Sequence, residues 1–378
     1  MAESGTEGAR SAAGRSFAGP GKYIQRAGEI ERLGEHLKPL GCNLFILVDG
    51  FIQDAYGATL EKTLAASGLQ FHLERFAGEC CTSEIDRVIG LVRHAQASVV
   101  VGIGGGKTAD TAKLAAIATH ARIVTVPTIA STDAPCSAVA VRYSEEGVYQ
   151  QSHFLPRNPD AVVVDSALIA KAPARFLAAG IGDALSTWFE ARSNLESRSS
   201  NLASPNLPPT AAGIAIAKTC HDVLMRDAVA AMHAVRKGAL TQAVENIIEA
   251  NTLLSGLGFE NCGVSAAHGI HDGLTVLDET HGFYHGEKVA FGVLCLLMLE
   301  GRPLSEISEM VQLCRSIGLP TTLADLNLAT VSKEDLERVA VAALAPGSAT
   351  WKVAIPLSVA IVRDAIIATD AFTRSFAA

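Results

Sequence analysis

The sequence predicts two domains of different class: a doubly wound α/β unit over residues 20–172 and an all-α unit over residues 173–378. Three observations carry this. Short apolar runs of strand length alternate with helix-period segments through the first half. One of these runs leads directly into Gly102-Ile103-Gly104-Gly105-Gly106. From Pro173 onward the apolar spacing is helical throughout.

Leu44-Phe45-Ile46-Leu47-Val48 is continuously apolar and closes on Asp49-Gly50, the pattern of a parallel strand buried on both faces. A helix follows from about Asp54 to Ser67 and stops at Gly68. Gln70 to Phe76 reads as a second strand. Ser83, with Asp86 three residues on, resembles a capping box that opens a helix to about Ala95. Ala97–Ile103, Ile123–Val126 and Ala161–Asp165 are further buried strands. Ligands of such a sheet sit beyond the carboxyl ends of its strands. In the second half Phe176–Arg192, Thr210–Met225, Leu240–Leu257, Tyr284–Leu299 and Leu336–Leu344 have helical spacing, and Asn201–Pro209, with three prolines, is a loop. The domain boundary falls near Lys171–Pro173, with the active site expected in the cleft between domains.

The 378 residues, 49% of them hydrophobic, exceed what one ordinary domain needs. The net charge of −8 comes from 31 basic and 39 acidic residues, interspersed without a basic stripe, which argues against nucleic acid as a partner. The eight cysteines show no CxxC spacing and read as reduced intracellular thiols. Residues 1–19 are small and polar and are expected to be a disordered tail; they hold no apolar stretch of signal-peptide length. The apolar run Val289–Leu299 is too short to span a bilayer. A cytoplasmic protein without membrane contact is therefore expected.

Gly102 to Thr108 follows a strand and opens a helix, so its backbone N–H groups can approach phosphate oxygens at a helix N-terminus. It departs by one residue from both common phosphate-binding patterns: Val101 stands where a P-loop needs glycine, and Lys107 where the dinucleotide fingerprint needs glycine or alanine. A tight turn without a ligand is the alternative. Asp49 at a strand end can accept both hydroxyls of a ribose and repel a 2′-phosphate, or can simply serve the Asp-Gly turn. Thr128 to Ser137 is a hydroxyl-rich loop with one carboxylate, Asp133, suited to a polar ligand or to capping itself.

The helical half holds Asp183, His268, His271, His281 and His285. His268 and His271 share a helix face, and His285 lies seventeen residues beyond His268. One carboxylate with two or three imidazoles makes a metal site with an open position. A single histidine on an apolar helix is more often a core or cap residue, but four of the chain's eleven fall within eighteen residues. His281, beside Gly282, reads as a surface residue. There is no HExxH, which excludes zincin-type proteolysis.

At these residues the chain resembles the glycerol dehydrogenases of the iron-containing (group III) alcohol dehydrogenase superfamily. The resemblance runs from Pro20 to about Leu326. It is densest at Gly102–Lys113, Val126–Ser137, Ala178–Ala184, Ser265–His271 and Tyr284–Gly292. It implies a dehydroquinate synthase-like, iron-alcohol-dehydrogenase-like fold with an NAD-binding first domain and a metal-binding second one. It implies that Asp183, His268 and His285 hold one divalent metal, usually Zn2+ with Fe2+ as the alternative. Gly104, Gly105, Gly106, Lys107, Thr128, Ser131, Ser137, Val139 and Tyr143 would line the NAD site, with Asp49 on the adenosine ribose. Asp133 would touch the hydroxyls of a small polyol, and His271 would be a pocket or proton-relay residue. A homo-oligomer is implied as well.

The implied reaction is reversible oxidation of glycerol to dihydroxyacetone, the metal lowering the pKa of the reacting hydroxyl and nicotinamide taking the hydride. The alternatives are another small diol, glycerol 1-phosphate, or a non-catalytic NAD-binding subunit. Cys262-Gly263 replaces a glycine pair, Asp272 replaces an Asn, and the segment after Ala345, with Trp351 and Lys352, lacks the expected His-bearing ending. These departures bear on pocket shape more than on chemistry.

Overall fold

The computed structural model describes residues 14–204 and 207–377. The strands are β1 (Tyr23–Gln25), β2 (Asn43–Val48), β3 (Gln70–Arg75), β4 (Val99–Gly104), β5 (Arg122–Pro127), β6 (Val139–Tyr143), β7 (Tyr149–Phe154) and β8 (Ala161–Val164). The helices among them are α1 (Leu33–Leu37), α2 (Gly50–Ala66), α3 (Thr82–His94), α4 (Gly106–Ala118) and α5 (Ser166–Lys171). Six strands pair in parallel in the order β1-β8-β5-β4-β2-β3, while β6 and β7 form a separate antiparallel hairpin. The chain leaves β2 toward one sheet edge and β4 toward the other. The carboxyl ends of β2 and β4 therefore flank the point where strand order reverses, the usual place for a ligand.

Side chains alternate across β2. Leu44, Ile46 and Val48 pack with Ile52, Leu60 and Leu64 of α2 on one face. Phe45 and Leu47 meet Val88 and Val92 of α3 and Ala112 and Ala115 of α4 on the other. Both faces are covered by helices, which is why the strand shows no polar alternation. Each Leu or Val so buried contributes about 1.5–3 kcal/mol.

The second half comprises α6 (Ala174–Glu196), α7 (Ala211–Val235), α8 (Gln242–Glu249), a π-helical turn (Ala250–Leu254), α9 (Ser255–Cys262), α10 (Ala266–Leu274), α11 (His285–Leu299), α12 (Leu304–Ile317), α13 (Lys333–Ala343) and α14 (Val359–Arg374). Among the described residues no strand follows β8. Ile181, Leu185, Leu224, Ile247, Leu294, Leu297 and Val311 knit α6, α7, α8, α11 and α12 into one core. Ile270, Phe291, Leu336 and Val362 make a second core between α10, α11, α13 and α14. Among the described residues no helix is long and apolar enough to cross a membrane.

Several expectations change. The capping box at Ser83 is absent: α3 starts at Thr82, and the Ser83 hydroxyl donates instead to Glu145 Oε1 at 2.7 Å. The helix expected over Leu240–Leu257 runs on to Cys262 through the π-helical turn. Strand β1, the β6–β7 hairpin, α12 and α14 were not anticipated. Within the expected disordered tail, residues 14–19 are ordered against the helical half: Ala18 N donates to Asn261 Oδ1 at 2.8 Å and Asn261 Nδ2 returns to Ala18 O at 2.7 Å. Residues 1–13 lie outside the described residues, as do residues 205 and 206 of the expected loop.

Candidate metal centre and cofactor cleft

Asp183 sits near the middle of α6, and His285 is the first residue of α11. Glycine lets these two helices touch backbone to backbone. A Cβ on Gly182 would fall 2.3 Å from Gly286 O, and one on Gly286 only 1.8 Å from Ala179 O. This contact sets His285 Nε2 3.2 Å from Asp183 Oδ1, and α10 brings His268 Nε2 to 3.6 Å from the same oxygen. One donor atom from each residue lies within 4.8 Å of the other two. Both Asp183 oxygens are buried without a hydrogen-bond partner. A buried carboxylate left this way is costly unless a cation answers it. Two imidazole nitrogens and one carboxylate fit a divalent ion and leave a position open.

The histidines are oriented from behind. His268 Nδ1 lies 2.7 Å from Glu190 Oε2, while Glu190 Oε1 accepts the backbone N–H groups of Ser265 and His268 at 2.7 and 3.0 Å. An ionised carboxylate only accepts, so Glu190 holds a proton on His268 Nδ1, and Nε2, turned toward Asp183, is the nitrogen left for a metal ion. His285 Nδ1 lies 3.0 Å from His271 Nε2, and His271 Nδ1 lies 3.0 Å from Asp272 Oδ1. The same rule runs outward from Asp272: His271 donates to it, His285 donates to His271, and His285 Nε2 is left as a lone pair.

The electrostatics follow. Burial opposes charge on Asp183, but the His285 and His268 rings outweigh it and hold the carboxyl below its ordinary range. Burial likewise opposes charge on His268, yet Glu190 and Asp183 raise its pKa well above normal: the pocket draws positive charge. Burial, reinforced by His285, pushes His271 down to about 3, so it stands as a neutral acceptor.

The Thr128–Ser137 loop lies across this centre. A Cβ on Gly180 would sit 1.9 Å from Ala130 O, and Asn251 in the π-helical turn donates to that same carbonyl at 2.9 Å. Asp133 Oδ2 accepts from Ser255 Oγ at 2.7 Å. Burial, with the Asp183 charge added, pushes the Asp133 carboxyl well above its usual range. Lys113 of α4 is fully buried and ties the loop down, its ammonium bonded to Asp110 at 2.8 Å, to Ala134 O at 3.0 Å and to Val139 O.

In the α/β half no side chain caps α4 at Gly105, leaving its first-turn N–H groups to an outside acceptor. Asp49 N bonds to Ile103 O at 2.9 Å, and a Cβ on Gly104 would lie 3.0 Å from Asp49 Cβ. Asp49 thus adjoins the glycine turn, where one of its oxygens also caps α2 through Phe51 N at 3.0 Å. Lys107 pairs with Glu79 and stands 5.2 Å from the centre of the Tyr143 ring. Thr128 and Ser137 are buried and Ser131 half-buried. The Ser137 hydroxyl turns to Ala134 O at 3.3 Å. His281 is exposed and bonds only locally, to Thr275 O at 3.0 Å.

The sequence reading missed Glu190, Ser255 and Lys113. Glu190 had a usable signal, since it lies seven residues after Asp183 and so on the same face of α6.

A doubly wound sheet with an uncapped helix terminus, joined to a helical unit with a two-histidine, one-carboxylate centre, defines a two-domain metal-containing dehydrogenase. The family model for iron-containing alcohol dehydrogenases matches residues 20–166. A glycerol dehydrogenase of Pseudomonas putida is 45% identical over 96% of this chain and 99% of its own length. A solved structure described as a probable glycerol dehydrogenase of Sinorhizobium meliloti is 62% identical, with a TM-score of 0.91 over 96% of this chain and 100% of that one. The glycerol dehydrogenase structure from Schizosaccharomyces pombe is 35% identical, with a TM-score of 0.92 over 96% of this chain and 92% of that one. The chain belongs to the iron-containing alcohol dehydrogenase family and is an NAD-dependent, metal-containing enzyme of that class.

Proposed function

We propose that this enzyme oxidises glycerol reversibly to dihydroxyacetone, passing hydride to NAD. The observation that carries this is the convergence of Asp183, His268 and His285 on one point with the Asp133 carboxylate beside them. The relatives named as glycerol dehydrogenases support glycerol as the polyol.

Asp183, His268 and His285 would hold a divalent ion, which when bound supplies Lewis acidity that lowers the pKa of an alcohol hydroxyl. We take it as Zn2+; the same donor set also admits Fe2+. Asp133, oriented by Ser255, would hydrogen-bond the polyol and fix which carbon faces the nicotinamide. The first turn of α4, Gly104, Gly105, Gly106 and Lys107 would hold the pyrophosphate, and Asp49 the adenosine ribose. Thr128, Ser131, Ser137, Val139 and Tyr143 would line the rest of the NAD path. His271 would act as a positioning residue, aiming His285 rather than moving a substrate proton.

A homo-oligomer acting in the cytoplasm, without nucleic acid or membrane as partner, completes the proposal. The test is initial rates with NAD on glycerol, propane-1,2-diol and glycerol 1-phosphate, after metal removal and reloading with Zn2+ or Fe2+. Highest kcat/KM on glycerol supports the reading, and a clear preference for either other substrate overturns it.

A further inference from the structure

Strands β2 and β3 run parallel with Val48 opposite Arg75, so Arg75 ends its strand across from the residue before Asp49. The Arg75 guanidinium lies over Gly50: a Cβ there would sit 2.6 Å from Nη2 and 2.9 Å from Nε. Its fork does not point at Asp49. Both outer nitrogens are taken by Asp54 on the first turns of α2, Nη1 to Oδ1 at 2.7 Å and Nη2 to Oδ2 at 3.1 Å. The pair is open to solvent, with side chains 54% and 66% exposed, beside Gly50 and so next to Asp49 in the chain.

A guanidinium fork is the side chain best matched to a phosphate, because its planar donors meet two oxygens at once. Arg75 is near enough to Asp49, the carboxylate assigned to the ribose, to feel its charge, and a 2′-phosphate on that ribose would come within its reach. Asp54 occupies the donors such a phosphate would need. An incoming dianion therefore meets Asp49 and Asp54 with only one, already neutralised, arginine.

We infer that Arg75 is a latent 2′-phosphate anchor held shut by Asp54, so that the Asp54–Arg75 pair, together with Asp49, sets the choice of NAD over NADP. The inference rests on the reading of Asp49 as the ribose acceptor. Asp54 touches neither the ribose assigned to Asp49 nor the glycine turn, so its removal acts on the 2′ position alone. Surface ion pairs contribute little to stability, and loss of this one leaves the fold intact.

The experiment measures kcat/KM for NAD and for NADP on the metal-loaded enzyme and on Asp54→Ala, Asp54→Ala/Arg75→Ala and Asp49→Asn. Asp54→Ala is expected to raise the NADP-to-NAD ratio about tenfold, the scale of one hydrogen bond to a charged group, with the NAD constants unchanged. Adding Arg75→Ala should return the ratio to its starting value. An unchanged ratio in Asp54→Ala overturns the latch, as does a gain that survives loss of Arg75. Asp49→Asn tests the reading beneath it: a raised ratio there with no response to Asp54→Ala rejects the latch alone. No response in either variant rejects the placement of the ribose as well.

Discussion

His285 Nδ1 faces His271 Nε2 at 3.0 Å, and the far nitrogen of His271 is anchored by Asp272. This relay fixes the His285 ring so that Nε2 is presented to Asp183. Loss of such an outer partner typically costs about 10–100-fold in metal affinity. His271→Ala should therefore weaken the metal by about that factor in a chelator competition, yet still fill at saturating metal. An unchanged affinity would show that His285 needs no support from behind.

The crossing of α6 and α11 depends on Gly286. Gly286→Ala puts a methyl group 1.8 Å from Ala179 O, a backbone atom that cannot swing away. Overpacking of this kind costs about 1–3 kcal/mol, so thermal unfolding should begin several degrees lower and metal occupancy should fall with it. Gly282→Ala is the control, because nothing lies within 4 Å of its Cβ. Equal melting curves for the two variants would contradict the packing argument.

Lys113→Met strands the buried Asp110 and cuts the ties to Ala134 O and Val139 O. Breaking a buried pair on one side costs about 3–5 kcal/mol, which denaturant titration should read directly. Adding Asp110→Asn should recover part of the loss, though Val141 N still needs an acceptor there. A Lys113→Met protein as stable as the parent would mean that this ammonium is not what holds the loop.

Asp133→Asn keeps the shape of the side chain and its bond from Ser255 while removing charge. Polyol turnover should suffer, in KM or kcat, while NAD affinity stays at the parent value. Loss of NAD binding, read by fluorescence titration, would assign the loop to the cofactor instead.

Much of this was legible in the chain because the signals were strong and local. The apolar runs Leu44–Val48 and Ala97–Ile103 and the helical spacing beyond Pro173 each follow from burial on both faces or on one. What escaped was set by tertiary contact. Strand β1 is three residues long, too short for any period, and exists because Tyr23–Gln25 pairs with Val162–Val164. Spacing alone makes Ser83 a cap, but Glu145, sixty-two residues away, takes its hydroxyl. Lys113 is fully buried without any local signal, since only the folded loop supplies its acceptors. The four clustered histidines pointed toward a metal site without giving their roles. Which one backs which depends on Glu190 and Asp272, whose contacts with His268 and His271 form only in the folded chain.

The central claim is that Asp183, His268 and His285 hold the metal and that His271 does not. It is tested most directly by metal analysis of Asp183→Asn, His268→Ala, His285→Ala and His271→Ala, purified alike and dialysed against saturating Zn2+. Each of the first three is expected to lose stoichiometric metal and nearly all turnover while still binding NAD, because the α4 terminus belongs to the α/β half and none of these residues does. His271→Ala should remain filled under the same conditions. Stoichiometric metal in Asp183→Asn, or an empty site in His271→Ala with a filled one in His285→Ala, would contradict it.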